Sequence, residues 1–420
     1  MTGLAAIRRA TAEIPLLVIC TLFLSTGASI LPSDSLISIG QVRLDLARIL
    51  LIVGFAALVY THGARRELFA SGLGIPLALL LAAGLVATLK WSGTEPRYRF
   101  LVEGVALLYL TQATVRARPD ARVAIAAVAL VAVALSSLGG LAQVSQGIAT
   151  GFYRHGCVPV TQAPPIVPAG TITRATGSFA NPNLLAAHVL LLAPLAAAAL
   201  VLAFTGWQVR VAVALTVGLA YLGLIFTFSR TGILIALLGA AAAVLTSRLP
   251  QRRYLAVLGV GLAVGVFLLL GSCGSEGAAG FGRTQVWKET MHVIRDHPLY
   301  GIGLGRLGDV LHARYPLSTS EHAHNLFLDW WAEAGPLALI AWIWLFVALT
   351  ARSLRAALSG DILGRGALVA LIGFGGYSML DHPANVDRIA IALWGVMGVA
   401  AALPRAPFAV ARLRRRTAHA

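Results

Sequence analysis

The sequence predicts an all-α polytopic membrane protein with about twelve transmembrane helices, forming a single integral membrane domain over residues 1–420. Three observations predict it. Hydrophobic residues make up 58% of the chain and charged residues only 12%, against about 25% charged in an ordinary soluble domain, too few to cover a water-exposed surface. The apolar residues come in long blocks such as Leu184 to Phe204 and Tyr254 to Gly271, each close to the roughly 20 residues a helix needs to cross the hydrocarbon. Arginines fall between the blocks in alternation. With the amino terminus inside, Arg65, Arg66, Arg116, Arg118, Arg122, Arg210, Arg248, Arg252, Arg253, Arg352, Arg355, Arg365 and the tail Arg412 to Arg416 all lie in the cytoplasm, as the positive-inside rule asks.

The formal net charge of +16 therefore reads as topology. The basic residues are scattered between apolar blocks and not gathered on one face, which argues against a nucleic-acid partner. In order, the expected spans are about 14–31, 45–61, 72–89, 100–115, 122–143, 184–204, 211–228, 231–247, 254–271, 334–350, 366–380 and 388–403. The first follows Arg8 and Arg9 as a signal peptide would, but it lacks a small-residue cleavage site and is one of a dozen similar segments. Two connections are long: 144–183, which holds the Pro-rich stretch Pro159 to Pro168, and 272–333, which holds five of the ten histidines. The topology puts both outside the cytoplasm, where loops gathered at one face of a bundle are placed to carry chemistry. Cys157 and Cys273 fall in these two loops, open either to a disulfide that ties one over the other or to two free thiols.

Within the second loop, Thr284 to His297 places Val286, Trp287, Met291 and Ile294 near one helix face, with Arg283, Lys288 and Arg295 elsewhere, the pattern of an interfacial amphipathic helix. The run Gly301-Ile302-Gly303-Leu304-Gly305 breaks it. That run lacks the preceding strand and the spacing of a dinucleotide loop. A new helix begins at Asn325 as N-cap and runs into the span near Gly335.

Three positions combine polar chemistry with a place at this face. Arg230, in Ser229-Arg230-Thr231-Gly232, is held at the interface between two spans with almost no loop, either snorkelling to headgroups or holding an anion. Arg283 opens the interfacial helix. In His322-Ala323-His324-Asn325, a histidine can act as general base near neutral pH, or serve as a cap. The two histidines lie only two apart with no third ligand at metal spacing, so no metal is expected.

Together, Ser178-Phe179-Ala180-Asn181-Pro182-Asn183, Ser229-Arg230-Thr231-Gly232, Gly282-Arg283 with Trp287, His297-Pro298-Leu299-Tyr300-Gly301-Ile302-Gly303, and His324-Asn325-Leu326 followed by Glu333-x-Gly335 resemble, in order and spacing, the O-antigen ligase and polymerase superfamily. The resemblance covers about 174–345; the flanking spans match only in being membrane helices. It implies a multi-pass enzyme of the bacterial inner membrane, both termini cytoplasmic and both long loops periplasmic, using an undecaprenyl-diphosphate-linked glycan without metal or other cofactor. It implies that Arg230 and Arg283, joined by Arg174, hold the lipid diphosphate and that His324 is the base on the acceptor hydroxyl. Asn183, as cap of the sixth span, Asn325 and His322 support them. The leading expectation is a ligase that transfers the glycan to a lipid A-core sugar with inversion. A polymerase extending the lipid-linked glycan is the alternative, with a protein O-oligosaccharyltransferase third. A solute transporter, the reading from another class, would concentrate ionisable groups near the midplane, where Glu103 is the main acid.

Overall fold

The computed structural model describes residues 2–28, 37–39, 42–63, 65–146, 174–204, 206–247, 277–315 and 320–404, with a few further positions between 253 and 261. The Pro-rich stretch, Cys157, Cys273, the tail arginines and most of the span expected at 254–271 lie outside the described residues. The other eleven expected spans coincide with helices: α1 (Thr2–Ala28), α2 (Leu46–His62), α4 (Gly74–Lys90), α5 (Glu95–Ala117), α6 (Ala121–Gln146), α7 (Pro182–Ala203), α8 (Trp207–Phe226), α9 (Arg230–Leu245), α12 (Leu326–Leu358), α13 (Ile362–Ser378) and α14 (Asp387–Ala402). The short α3 (Arg66–Phe69) links α2 to α4, while α10 (Gly277–Asp296) and α11 (Leu307–Arg314) belong to the long second loop. Segments of α1, α6, α7, α8 and α12 are long and apolar enough to cross a membrane, and α2, α4, α9 and α13 are shorter apolar helices. A two-stranded antiparallel ladder, Ile37–Ile39 with Val42–Leu44, lies between α1 and α2.

The inner helices are read from their burial. Helix α14 buries nearly every residue from Ile389 to Ala401 and packs on α5, while α7 packs between α13 and α6. Helix α8, by contrast, exposes Leu215, Leu222 and Ile225, the apolar outer face a lipid-facing helix requires. Away from the loop end, arginines take helix-end carbonyls: Arg352 donates to Ala401 O at 2.6 Å, Arg116 to the same oxygen at 3.1 Å, and Arg365 to Thr246 O at 2.9 Å. Such bonds satisfy acceptors that a helix terminus leaves open. Glu103 is bonded to Arg48, which also pairs with Asp45 at 3.4 Å.

The second loop forms a satellite core. Val286, Val293 and Ile294 of α10 pack with Ile302, Leu307, Leu311, Ala323 and Ala332, and Trp287 Nε1 donates to Ala323 O at 2.8 Å. The amphipathic helix is therefore present, seven residues longer at its start than the pattern predicts, and its apolar face is covered by protein.

Helix α12 is broken at Gly335, where φ is 81° and ψ 179°, and Pro336 follows. Pro336 has no N–H to give Ala332 O, and the break leaves Glu333 O open as well. The glycine run supplies the missing donors: Ile302 N reaches Ala332 O and Gly303 N reaches Glu333 O, each at 2.9 Å. Close approach requires glycine on both sides. A Cβ at Gly335 would stand 2.1 Å from Leu299 O, and one at Gly301 2.4 Å from the Glu333 carbonyl carbon. The Gly335 conformation is one that essentially only glycine adopts, at a strain of about 1–3 kcal/mol for other residues. Gly335→Ala should therefore lower stability by at least about 1–3 kcal/mol, read as a drop in thermal unfolding temperature in detergent, and an unchanged unfolding temperature would show that the break tolerates a side chain.

Candidate active site

Helix ends converge at the loop end of the bundle. Asn325 caps α12 by accepting from Phe327 N at 3.0 Å and Leu328 N at 3.1 Å, and its amide donates to Met379 O at 3.0 Å, tying this start to the end of α13. The cap is thus Asn325 and not His324. His324 precedes it with φ 51°, a left-handed conformation uncommon outside glycine and asparagine, which turns the His322–His324 segment back toward α13.

There the imidazoles meet Asp381, in the turn between α13 and α14. His324 Nδ1 stands 3.3 Å and His322 Nε2 3.4 Å from Asp381 Oδ1, which also accepts from His382 N at 2.8 Å. Asn183 Nδ2 donates to the other carboxylate oxygen at 3.3 Å. Burial by itself would raise this carboxyl, but the hydrogen bonds and charge of His322 and His324 outweigh it and hold Asp381 well below the usual carboxylate range. An ionised Asp381 only accepts, so the facing nitrogens carry hydrogens. That assigns His324 the Nδ1–H tautomer and leaves its Nε2 as the basic nitrogen.

A cationic side lies against the same turn. Arg174 Nε donates to Thr227 O at 2.7 Å, and Ala175 N to Phe226 O at 2.9 Å, fastening this segment to the end of α8. Ser229 caps α9 through Gly232 N at 3.2 Å and meets the Tyr377 hydroxyl at 3.2 Å. Arg230 is the first residue of α9. Tyr377 lies within electrostatic reach of Asp381, Arg283 and Arg174 together. The short loop between α8 and α9, the start of α10 and the turn after α13 thus bring arginines and histidines from distant sequence to one end of the fold.

Comparison with known proteins bears on this region. Residues 211–343 match the family described as O-antigen ligase. That segment is similar to the O-antigen ligase and polymerase superfamily. No curated protein matches significantly. The matched segment contains Arg230, Arg283, His322, His324 and Asn325, whereas Arg174, Asn183, Tyr377 and Asp381 lie outside it.

The structure corrects two expectations about these residues. Asn183 does not cap α7: Asn181 does, accepting from Asn183 N at 2.8 Å, which frees the Asn183 side chain for Asp381. The histidine pair also has a third potential ligand in space, because His322, His324 and Asp381 offer ligand atoms that all lie within 4.8 Å of one another. Sequence reasoning missed Asp381 and His382, although an Asp-His-Pro turn between two apolar blocks is a signal of the same kind as Ser229-Arg230. It also passed over Asp329 as a site residue. Asp329 Oδ1 accepts from Ala323 N at 2.9 Å, between the two histidines, and Oδ2 stands 2.8 Å from His382 Nδ1. Asp329 and His382 line a cavity of about 90 Å³ beside the site, with Arg97, Glu333, Trp330 and Trp342.

His382 titrates against these carboxylates. Burial would lower its pKa, but Asp329 first, then Glu333 and Asp381, raise it above the ordinary 6.5. A group raised on folding stabilises fully below its unfolded pKa and loses that contribution as pH rises through its folded value. The unfolding temperature of the solubilised protein should therefore fall as pH is raised from about 6.5, and His382→Gln should flatten that fall. Equal pH slopes in the two proteins would show that His382 is not the group responsible.

Proposed function

We propose that this O-antigen ligase relative transfers a preassembled glycan from undecaprenyl diphosphate to an acceptor hydroxyl, with a lipid A-core sugar as acceptor. The reaction takes place at the periplasmic face of the bacterial inner membrane, with both termini in the cytoplasm. The observation that carries this reading is Asp381 Oδ1 facing His324 Nδ1 at 3.3 Å, which leaves His324 Nε2 a base.

In this mechanism His324 Nε2 takes the acceptor proton as the hydroxyl oxygen attacks the anomeric carbon from the side opposite the diphosphate. The bond from that carbon to the phosphate oxygen breaks with its electron pair, so configuration inverts and the lipid diphosphate leaves. Arg230 and Arg283, with Arg174, neutralise the charge that develops on it; their guanidiniums supply the stabilisation a metal ion gives in other phosphate sites. Asp381 and His322 orient His324, Asn183 orients Asp381, and Asn325 fixes the helix start behind them. Pairing of Glu103 with Arg48 favours transferase over transporter, since the main acid within the spans is engaged structurally. Extension of the lipid-linked glycan would use the same groups and differ only in the acceptor.

Transfer by purified protein from a lipid-linked glycan, offered either lipid A-core or a second lipid-linked glycan, tests both levels. His324→Ala should slow transfer by about 10² to 10⁴ with donor binding nearly intact. Arg230→Ala or Arg283→Ala should weaken donor binding and turnover together, with Arg→Lys rescuing only part because an ammonium lacks the planar fork. Wild-type rates from folded His324→Ala protein would remove the base, and transfer only to the lipid-linked glycan would make the protein a polymerase.

A further inference from the structure

We propose that His322, His324 and Asp381 form a three-ligand site for zinc, and that zinc there switches transfer off. The argument begins with spacing. Two atoms bound to tetrahedral zinc at about 2.0–2.1 Å stand about 3.3–3.4 Å apart. Asp381 Oδ1 lies 3.3 Å from His324 Nδ1 and 3.4 Å from His322 Nε2, so two of the three edges already have the length the ion requires. All three ligand atoms lie within 4.8 Å of one another, so the third edge must shorten by at most about 1.5 Å to hold tetrahedral zinc.

The surroundings hold the ligands in place. Asn183 Nδ2 and His382 N both donate to the Asp381 carboxylate, the outer-shell bonding that orients metal ligands. His322 Nδ1 is buried and has no hydrogen-bond partner among the described residues. Two neutral imidazoles and one carboxylate give a ligand set of net charge −1, suited to a divalent ion. Among the described residues three protein ligands are present, which leaves the fourth position to water.

Zinc and catalysis require opposite tautomers. Zinc on His324 Nδ1 and His322 Nε2 moves each imidazole proton to the other nitrogen of its ring with no net proton released, and the His324 nitrogen that accepts the acceptor proton then carries one. This consequence for transfer rests on the proposed function; the site does not.

Equilibrium dialysis of zinc alone against the purified full-length protein decides the site. The wild type should bind one equivalent more than His322→Gln or Asp381→Asn, each first shown to unfold cooperatively; His322→Gln decides alone if Asp381→Asn does not fold. Equal zinc binding by wild type and variant, or none by the wild type, overturns the site. Saturating zinc should lower transfer at least tenfold, with recovery on chelation. Site-specific binding without that loss would confirm the metal site and overturn His324 as base.

Discussion

Asp381 Oδ1 receives one backbone N–H and faces two imidazoles, Oδ2 receives Asn183, and the arrangement at this end of the bundle follows from that one carboxylate. A carboxylate only 7% exposed is costly unless its lone pairs are met. Meeting them brings together three parts of the chain: the end of the second loop through His322 and His324, the start of α7 through Asn183, and the turn between α13 and α14 through His382. The same bonds select the His324 tautomer. In the proposed mechanism, stability and chemistry at this site therefore depend on the same group, and removing the charge would disturb both.

Behind that group stands the broken helix. Two carbonyls freed at Gly335-Pro336 would face a low-dielectric interior, where each unsatisfied group costs several kcal/mol. The Ile302 and Gly303 amides meet them, so the glycine run is bound to α12 and the satellite core is fixed over its first turns. The start of α12 is held at both ends: by the loop at Ala332 and Glu333, and by the Asn325 cap with its bond to Met379 O. That double restraint holds His324 in its left-handed conformation.

Much of this was legible in the sequence, for reasons the structure makes plain. Apolar blocks of helix-spanning length have few other solutions, so Leu184 to Phe204 reads as a span and becomes α7. Arg230 and His324 were marked by local motifs beside those blocks. Asp381 was not, because its partners are distant along the chain: 57 and 59 residues for the histidines and 198 for Asn183, and no pattern within one segment reports such pairing. The cap of α7 was legible and misread. Pro182 suits the first helical position, which assigns the cap to Asn181 and releases Asn183. The zinc geometry was hidden for the same reason as Asp381, since spacing along the chain supplied only two of the three ligands.

The claim that Asp381 acts through His324 is tested most directly by a double-mutant cycle on transfer rate with His324→Ala, Asp381→Asn and the combined variant, all confirmed folded. If Asp381 works by holding the His324 tautomer, it has nothing left to hold once the imidazole is gone, and the double variant should be no slower than His324→Ala alone. Rate losses that multiply would contradict the account, and would mean that Asp381 contributes to transfer by a route that does not pass through His324.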